Sequence, residues 1–229
     1  MNIGAKGRLL TLAAVLAIAP LAAQAQDDDS AVFRTGLGMT HLVFTDRSAS
    51  TSKHTFGIVD FGASKSFGGV FVGFDTELPF NQGGSPTNDE IVQTAVADFT
   101  LGYAFRNRVS VFTGWHYAKY DFWRSGVLFS QQTDRGPYLG VGYAFPLGKS
   151  GQLSASVAYG DFNSDSGAGP GKSTGTSASL TWSSDFRHGL GYYVKLRLLN
   201  YNFELDPTPP TGGTEVKKSI TTLAVGLVY

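Results

Sequence analysis

Ile220-Thr221-Thr222-Leu223-Ala224-Val225-Gly226-Leu227-Val228-Tyr229, the last ten residues of the sequence, alternate between two kinds of side chain. Thr221, Leu223, Val225, Leu227 and Tyr229 share one face at a period of two, and Ile220, Thr222, Ala224, Gly226 and Val228 share the other. Period two is the geometry of a β-strand. One face is apolar and ends on an aromatic ring, whereas the other is small and mixed. Soluble domains usually end in polar, frayed residues. A strand that keeps this pattern to its final residue calls for an apolar medium around it.

The pattern echoes upstream. Leu101-Gly102-Tyr103-Ala104-Phe105 returns 40 residues later as Val141-Gly142-Tyr143-Ala144-Phe145, and loosely, 84 residues beyond that, as Val225–Tyr229. The wider interval has room for another copy, at Leu180-Thr181-Trp182, and Phe61-Gly62-Ala63 precedes the first by a similar step. A repeat of this length fits one hairpin with its connections. Five copies therefore predict five hairpins and ten strands, placed near 32–45, 54–66, 69–80, 91–105, 109–122, 136–146, 152–162, 173–184, 189–204 and 216–229. Eight is the alternative count, if a weak hairpin such as 152–184 is misread. Short turns are expected at Ser66–Gly69, Arg106–Arg108, Pro146–Gly151 and Ser183–His188, and longer polar loops at 46–53, 81–90, 123–135, 163–172 and 205–215.

Each strand presents one face fit for lipid. In the fourth, Ala95, Ala97, Phe99, Leu101, Tyr103 and Phe105 alternate with Thr94, Val96, Asp98, Thr100 and Gly102. In the ninth, Tyr192, Val194, Leu196 and Leu198 alternate with Tyr193, Lys195, Arg197 and Leu199. Tyr103, Phe105, Tyr143, Phe145 and Tyr229 are expected to form one interfacial girdle, with Trp115, Tyr117 and Trp123 nearer the other rim. Asp60, Asp75, Glu77, Asp98, Lys195 and Arg197 fall at mid-strand on the other faces. An Arg or Lys facing lipid at mid-membrane costs about 2–4 kcal/mol. All six are therefore expected to point into a lumen and pair there, either as a polar core or as the lining of a selective pore.

The N-terminus points the same way. Lys6 and Arg8 precede Leu9–Ala22, an apolar run of 14 residues, and Ala23-Gln24-Ala25 places small residues around one spacer. This is the pattern of a Sec signal peptide over residues 1–25, cleaved after Ala25. The run is too short to span a bilayer as a helix. Residues 26–229 would form a single domain of 204 residues.

Signal peptide, strand pattern and terminal strand together resemble the small Gram-negative outer-membrane β-barrels of the OmpA-like and Opa-like kind. In that family the last strand carries a signal read by the assembly machinery: a polar residue, a glycine, a hydrophobic residue third from the end and a final aromatic. Thr222, Ala224, Leu227 and Tyr229 hold those places, with Ala for the usual Gly and Tyr for the commoner Phe. The resemblance implies an all-β, antiparallel, up-and-down transmembrane barrel, placed in the outer membrane after export. Its expected partners are outer-membrane lipid, lipopolysaccharide and the assembly machinery. The fold alternative is a soluble secreted β-sandwich.

Composition limits the chemistry. Removing Lys6 and Arg8 from 18 basic residues leaves 16 against 18 acidic, which disfavours nucleic acid as a partner. With no cysteine there is no disulfide, thiol catalysis or thiolate metal site. Glycine is frequent at 29 residues, aromatics reach 13%, and mean hydropathy is −0.04, a mixture explained by an apolar outside and a polar lumen. Among His41, His54, His116 and His188 no spacing marks a triad or an Asp–His pair, and His41 with His54 lacks a third metal ligand. Gly171-Lys172-Ser173 ends like a phosphate-binding loop, but the glycine five residues earlier is missing, Ser166 standing there, and no helix follows. The expectation is a non-enzymatic barrel without cofactor or metal, acting in envelope structure or surface interaction through its external loops. A narrow channel for small solutes is the alternative, and a barrel enzyme the third reading.

Overall fold

The computed structural model describes residues 31–45, 51–81, 83–84, 90–124, 127–148, 150–166, 169–187, 189–205 and 215–229. The expected signal peptide lies outside the described residues, as does His188. The strands are β1 (Ala31–Thr45), β2 (Thr51–Phe67), β3 (Val70–Pro79), β4 (Gly83–Gly84), β5 (Glu90–Ala104), β6 (Val109–Arg124), β7 (Val127–Leu147), β8 (Gly151–Ser166), β9 (Gly169–Arg187), β10 (Leu190–Leu205) and β11 (Glu215–Val228). All pair antiparallel in the order β3-β2-β1-β11-β10-β9-β8-β7-β6-β5-β4. β3 also pairs with β5, which closes the sheet into an up-and-down barrel of ten long strands. The two-residue β4 lies along the outer end of β5. Closure removes the free edges that would otherwise be left unpaired in lipid. The eight-strand alternative fails because β8 and β9 pair along their whole length, from Gly151↔Ser184 to Ser166↔Gly169.

Both ends of the barrel domain meet at one rim, where Phe33 and Tyr229 exchange backbone hydrogen bonds of 2.6 and 2.8 Å. The turns at this rim are tight. Gly68 and Gly69 join β2 to β3 with φ of 57° and 94°, the two positive values that a two-residue hairpin turn needs to match strand twist. Arg106-Asn107-Arg108 joins β5 to β6, with Phe105 N donating to Val109 O at 2.8 Å and Arg108 held at φ 68°.

At the opposite rim the structure corrects the sequence reading. Residues expected as loops at 123–135 and 163–172 are mostly strand, and the β6–β7 and β8–β9 connections shrink to 125–126 and 167–168. Gly171-Lys172-Ser173 thus lies within β9 rather than in a loop. Polar side chains on their outward faces alternate with inward ones, of which Gln132, Asp134 and Ser164 are buried.

The lumen is packed. Leu42, Phe44, Phe56, Tyr120, Phe162 and Tyr201 belong to one large buried cluster that also reaches Phe71 and Phe112 nearer the inner rim, and Val32, Tyr193, Ala224 and Val228 to a small one near the termini. Charged residues lie between them.

Candidate functional site

Period two sends the mid-strand charges of β2, β3, β5 and β10 inward, and closure brings them together. Lys195 on β10 pairs with Asp60, with Asp75 at 3.3 Å and with Glu77 at 2.9 Å. Arg197, next inward on the same strand, reaches Glu77 at 3.2 Å and Asp98 at 2.7 Å. Register explains why the carboxylates stand side by side. Asp60 is opposite Glu77, and Asp75 opposite Asp98. Four negative groups on three adjacent strands would repel one another without the cations that β10 supplies from across the barrel.

All six sequence-assigned charges are in this cluster, and three further residues join them. Arg34 on β1 donates through Nε to Asp60 at 3.0 Å and pairs with Asp75. His116 on β6 sits opposite Asp98, with Nδ1 2.6 Å from Oδ1, and its Nε2 is 3.3 Å from the Tyr201 hydroxyl. Tyr193 donates to Asp60 at 2.6 Å. Parity within the strand identifies each of them. Arg34 alternates with outward Phe33 and Thr35, and His116 with outward Trp115 and Tyr117. None of the cluster's ionic groups exceeds 3% side-chain exposure. Charges this deep persist only when paired and hydrogen-bonded.

The terminal-strand residues divide between the two faces. Thr222 points inward, donating to Glu77 at 3.2 Å and lying 2.9 Å from the Thr40 hydroxyl. Ala224 is buried beside Gly38, where a Cβ on the glycine would come within 2.9 Å of the alanine's own. Leu227 and Tyr229 face outward and are exposed.

A second ionic group lies nearer the outer rim. Lys218 donates to Asp134 at 2.7 Å and sits over the Tyr120 ring at 4.2 Å, while Gln132 and Ser164 complete the carboxylate's partners. Asp134 fell in an expected loop, and its place on the inner face of β7 is what pairs it.

The arrangement bears on the chemical alternatives. His41 faces outward, with Nδ1 2.9 Å from Thr55 Oγ1, whereas His54 is buried inside, so the two cannot share an ion. Carboxylate oxygens of Asp60, Asp75 and Glu77 come within 4.8 Å of one another, but the Lys195 ammonium bonds to all three and holds the place a cation would take. The Asp98–His116 pair has the composition of a proton-transfer unit, and both side chains are fully enclosed.

No family model matches the chain, and no curated protein matches it in sequence. Solved structures do. The outer membrane protease OmpT of Escherichia coli superposes with a TM-score of 0.64 at 11% identity, covering 89% of this chain and 97% of that one. The β-domain of the Bordetella autotransporter BrkA gives 0.47 at 11% identity, over 87% and 99% of the two chains. The Pseudomonas putida toluene transporter TodX gives 0.42 at 9%, over 93% and 92%. At such identity the likeness is one of fold, and the OmpT superposition carries it: this chain has the closed antiparallel architecture of the outer-membrane β-barrels.

Proposed function

We propose that this chain is an integral, non-enzymatic outer-membrane barrel with a closed lumen, serving envelope structure or contact at the cell surface. The observation behind this reading is the ion cluster. Arg34, Asp60, Asp75, Glu77, Asp98, Lys195 and Arg197 fill the barrel at one level and are each at most 2% exposed. An open pore wets its lining, and these groups are not wetted. The apolar outer faces fit a lipid environment, and the fold matches that of barrels inserted in the Gram-negative outer membrane. Export through a Sec signal peptide, recognition of Thr222, Ala224, Leu227 and Tyr229 by the assembly machinery, and contact with lipopolysaccharide belong to the same reading.

Planar-bilayer conductance tests it. The purified barrel should show negligible conductance, and Arg197→Ala should not open a steady channel, because Phe56, Tyr120, Phe162 and Tyr201 still fill the outer lumen. Stable unitary conductance in the wild type would establish the narrow-channel reading instead. Lipid A of unchanged mass after overexpression is the expected result, and a modified mass would favour the enzyme.

A further inference from the structure

Side chains on the outer wall change character part-way up the long strands. On β10, outward Tyr192, Val194, Leu196 and Leu198 give way to Asn200, Asn202 and Glu204. On β8, Val157 and Tyr159 give way to Asp161, Asn163 and Asp165. On β6, Trp115 and Tyr117 give way to Lys119 and Asp121, and on β1, Leu37 and Met39 give way to His41. The lumen changes at the same level in the opposite sense. Inward Lys195 and Arg197 are followed by Leu199, Tyr201 and Phe203, and inward Arg34 and Thr40 by Leu42 and Phe44. On β1 and β10 the part below this level is apolar outside and largely polar inside, and the part above it is built like a strand of a soluble protein.

The length of the lower part fits a bilayer. Ala31–Met39, Val109–Tyr117, Gly151–Tyr159 and Leu190–Leu198 are nine residues each. At about 3.3 Å per residue and a tilt of about 40°, nine residues rise about 23 Å, close to the roughly 25 Å apolar band of such barrels. The seven residues that follow on β6, β8 and β10 add about 18 Å by the same arithmetic.

We infer that the hydrocarbon ends at the level of Met39, Tyr117, Tyr159 and Leu198, and that the outer part of the barrel stands beyond it as a water-facing wall around its aromatic residues and the buried Lys218–Asp134 pair. This rests on the outer-membrane reading above. Two ion pairs on the upper wall support it independently. Arg135–Asp165 at 3.3 Å leaves both side chains more than half exposed, and Lys119–Asp121 at 3.1 Å is open to the outside. Exposed pairs of this kind are ordinary in water and costly in hydrocarbon. Trp115, Tyr117 and Tyr159 then mark the outer interface, and the rings of Tyr103, Phe105, Tyr143, Phe145 and Tyr229 the inner one. Trp123, expected nearer the outer rim, sits further out still, next to the β6–β7 connection. A surface partner would therefore meet a rigid barrel wall as well as loops.

The absence of cysteine makes the test clean. Single cysteines replace Val194, Leu196, Leu198, Asn200 and Asn202, and Val157, Tyr159, Asp161 and Asn163 on a second strand. Each variant is spin-labelled in phosphatidylcholine vesicles, and only those with heat-modifiable gel migration are read. Labels up to Leu198 and Tyr159 should be relaxed more by oxygen than by a water-soluble nickel complex, and the preference should reverse from Asn200 and Asp161 onward. Oxygen preference persisting through Asn202 and Asn163 overturns the inference. Nickel preference already at Val194 and Val157 would instead overturn the membrane reading itself.

Discussion

Arg197 Nη2 and Asp98 Oδ2 lie 2.7 Å apart across the lumen, joining residues 99 positions apart in the chain. Through Glu77 the same guanidinium also ties β10 to β3, so one side chain links three strands that meet only because the barrel is closed. The pair is part of a larger set, but its removal has a defined consequence.

Arg197→Leu leaves Asp98 and Glu77 without that cation in a dry interior, and breaking a buried pair from one side costs about 3–5 kcal/mol. Adding Glu77→Gln and Asp98→Asn removes the uncompensated charges and should recover much of that loss. Urea unfolding in lipid vesicles, followed by tryptophan fluorescence, measures both. Arg197→Leu as stable as wild type would mean that this ion cluster does not hold the strands together.

Gly175 lies opposite Tyr201 in the β9–β10 ladder, and a Cβ there would stand 1.7 Å from a ring atom of that tyrosine. The ring is already set edge-on to Phe162 and against His116, with centroids 5.5 and 5.7 Å away. Gly175→Ala must displace it, and overpacking of this kind costs about 1–3 kcal/mol. A lowered thermal transition on heat-modifiability gels is the expected result, with partial rescue by Tyr201→Leu.

Much of this was readable from single strands, because a period of two assigns every side chain to a face once the strand is recognised. Lys195, Arg197 and the four carboxylates follow from that parity alone. What parity does not supply is which strands face one another across a closed barrel. The link from Lys195 to Glu77 depends on closure between β3 and β5, and no local pattern encodes it. The 123–135 and 163–172 stretches were misjudged for a different reason. Gln131, Arg135, Asn163 and Asp165 look like loop residues if every outward position is assumed to meet lipid. On the inference above they face water, so polarity there marks the upper wall of the barrel. Asp134 was lost to the same assumption.

Arg108 closes the β5–β6 turn at φ 68°, a left-handed conformation that costs a non-glycine residue about 1–2 kcal/mol. Arg108→Gly removes that strain at some expense in unfolded-chain entropy. A net stabilisation of about 0.5–1 kcal/mol is expected in the same urea assay. Destabilisation would show that the arginine side chain has a role at the inner rim.

The Lys218–Asp134 pair separates the cost of a broken pair from the value of an intact one. Lys218→Met keeps most of the side-chain volume against Tyr120 but strands the Asp134 carboxylate, with Gln132 and Ser164 as its neutral donors among the described residues. The single variant should lose about 3–5 kcal/mol. Changing both residues, Lys218→Met with Asp134→Leu, leaves no charge behind, and Gln132 still donates to Ser164 at 2.8 Å. Well-packed apolar replacements of a buried pair are commonly neutral or stabilising. The double variant should therefore unfold within about 1 kcal/mol of wild type, despite some loss of the cation's attraction to the Tyr120 ring. If it is as unstable as the single variant, the pair itself stabilises the outer barrel, and the aromatic residues around it do not suffice as a core.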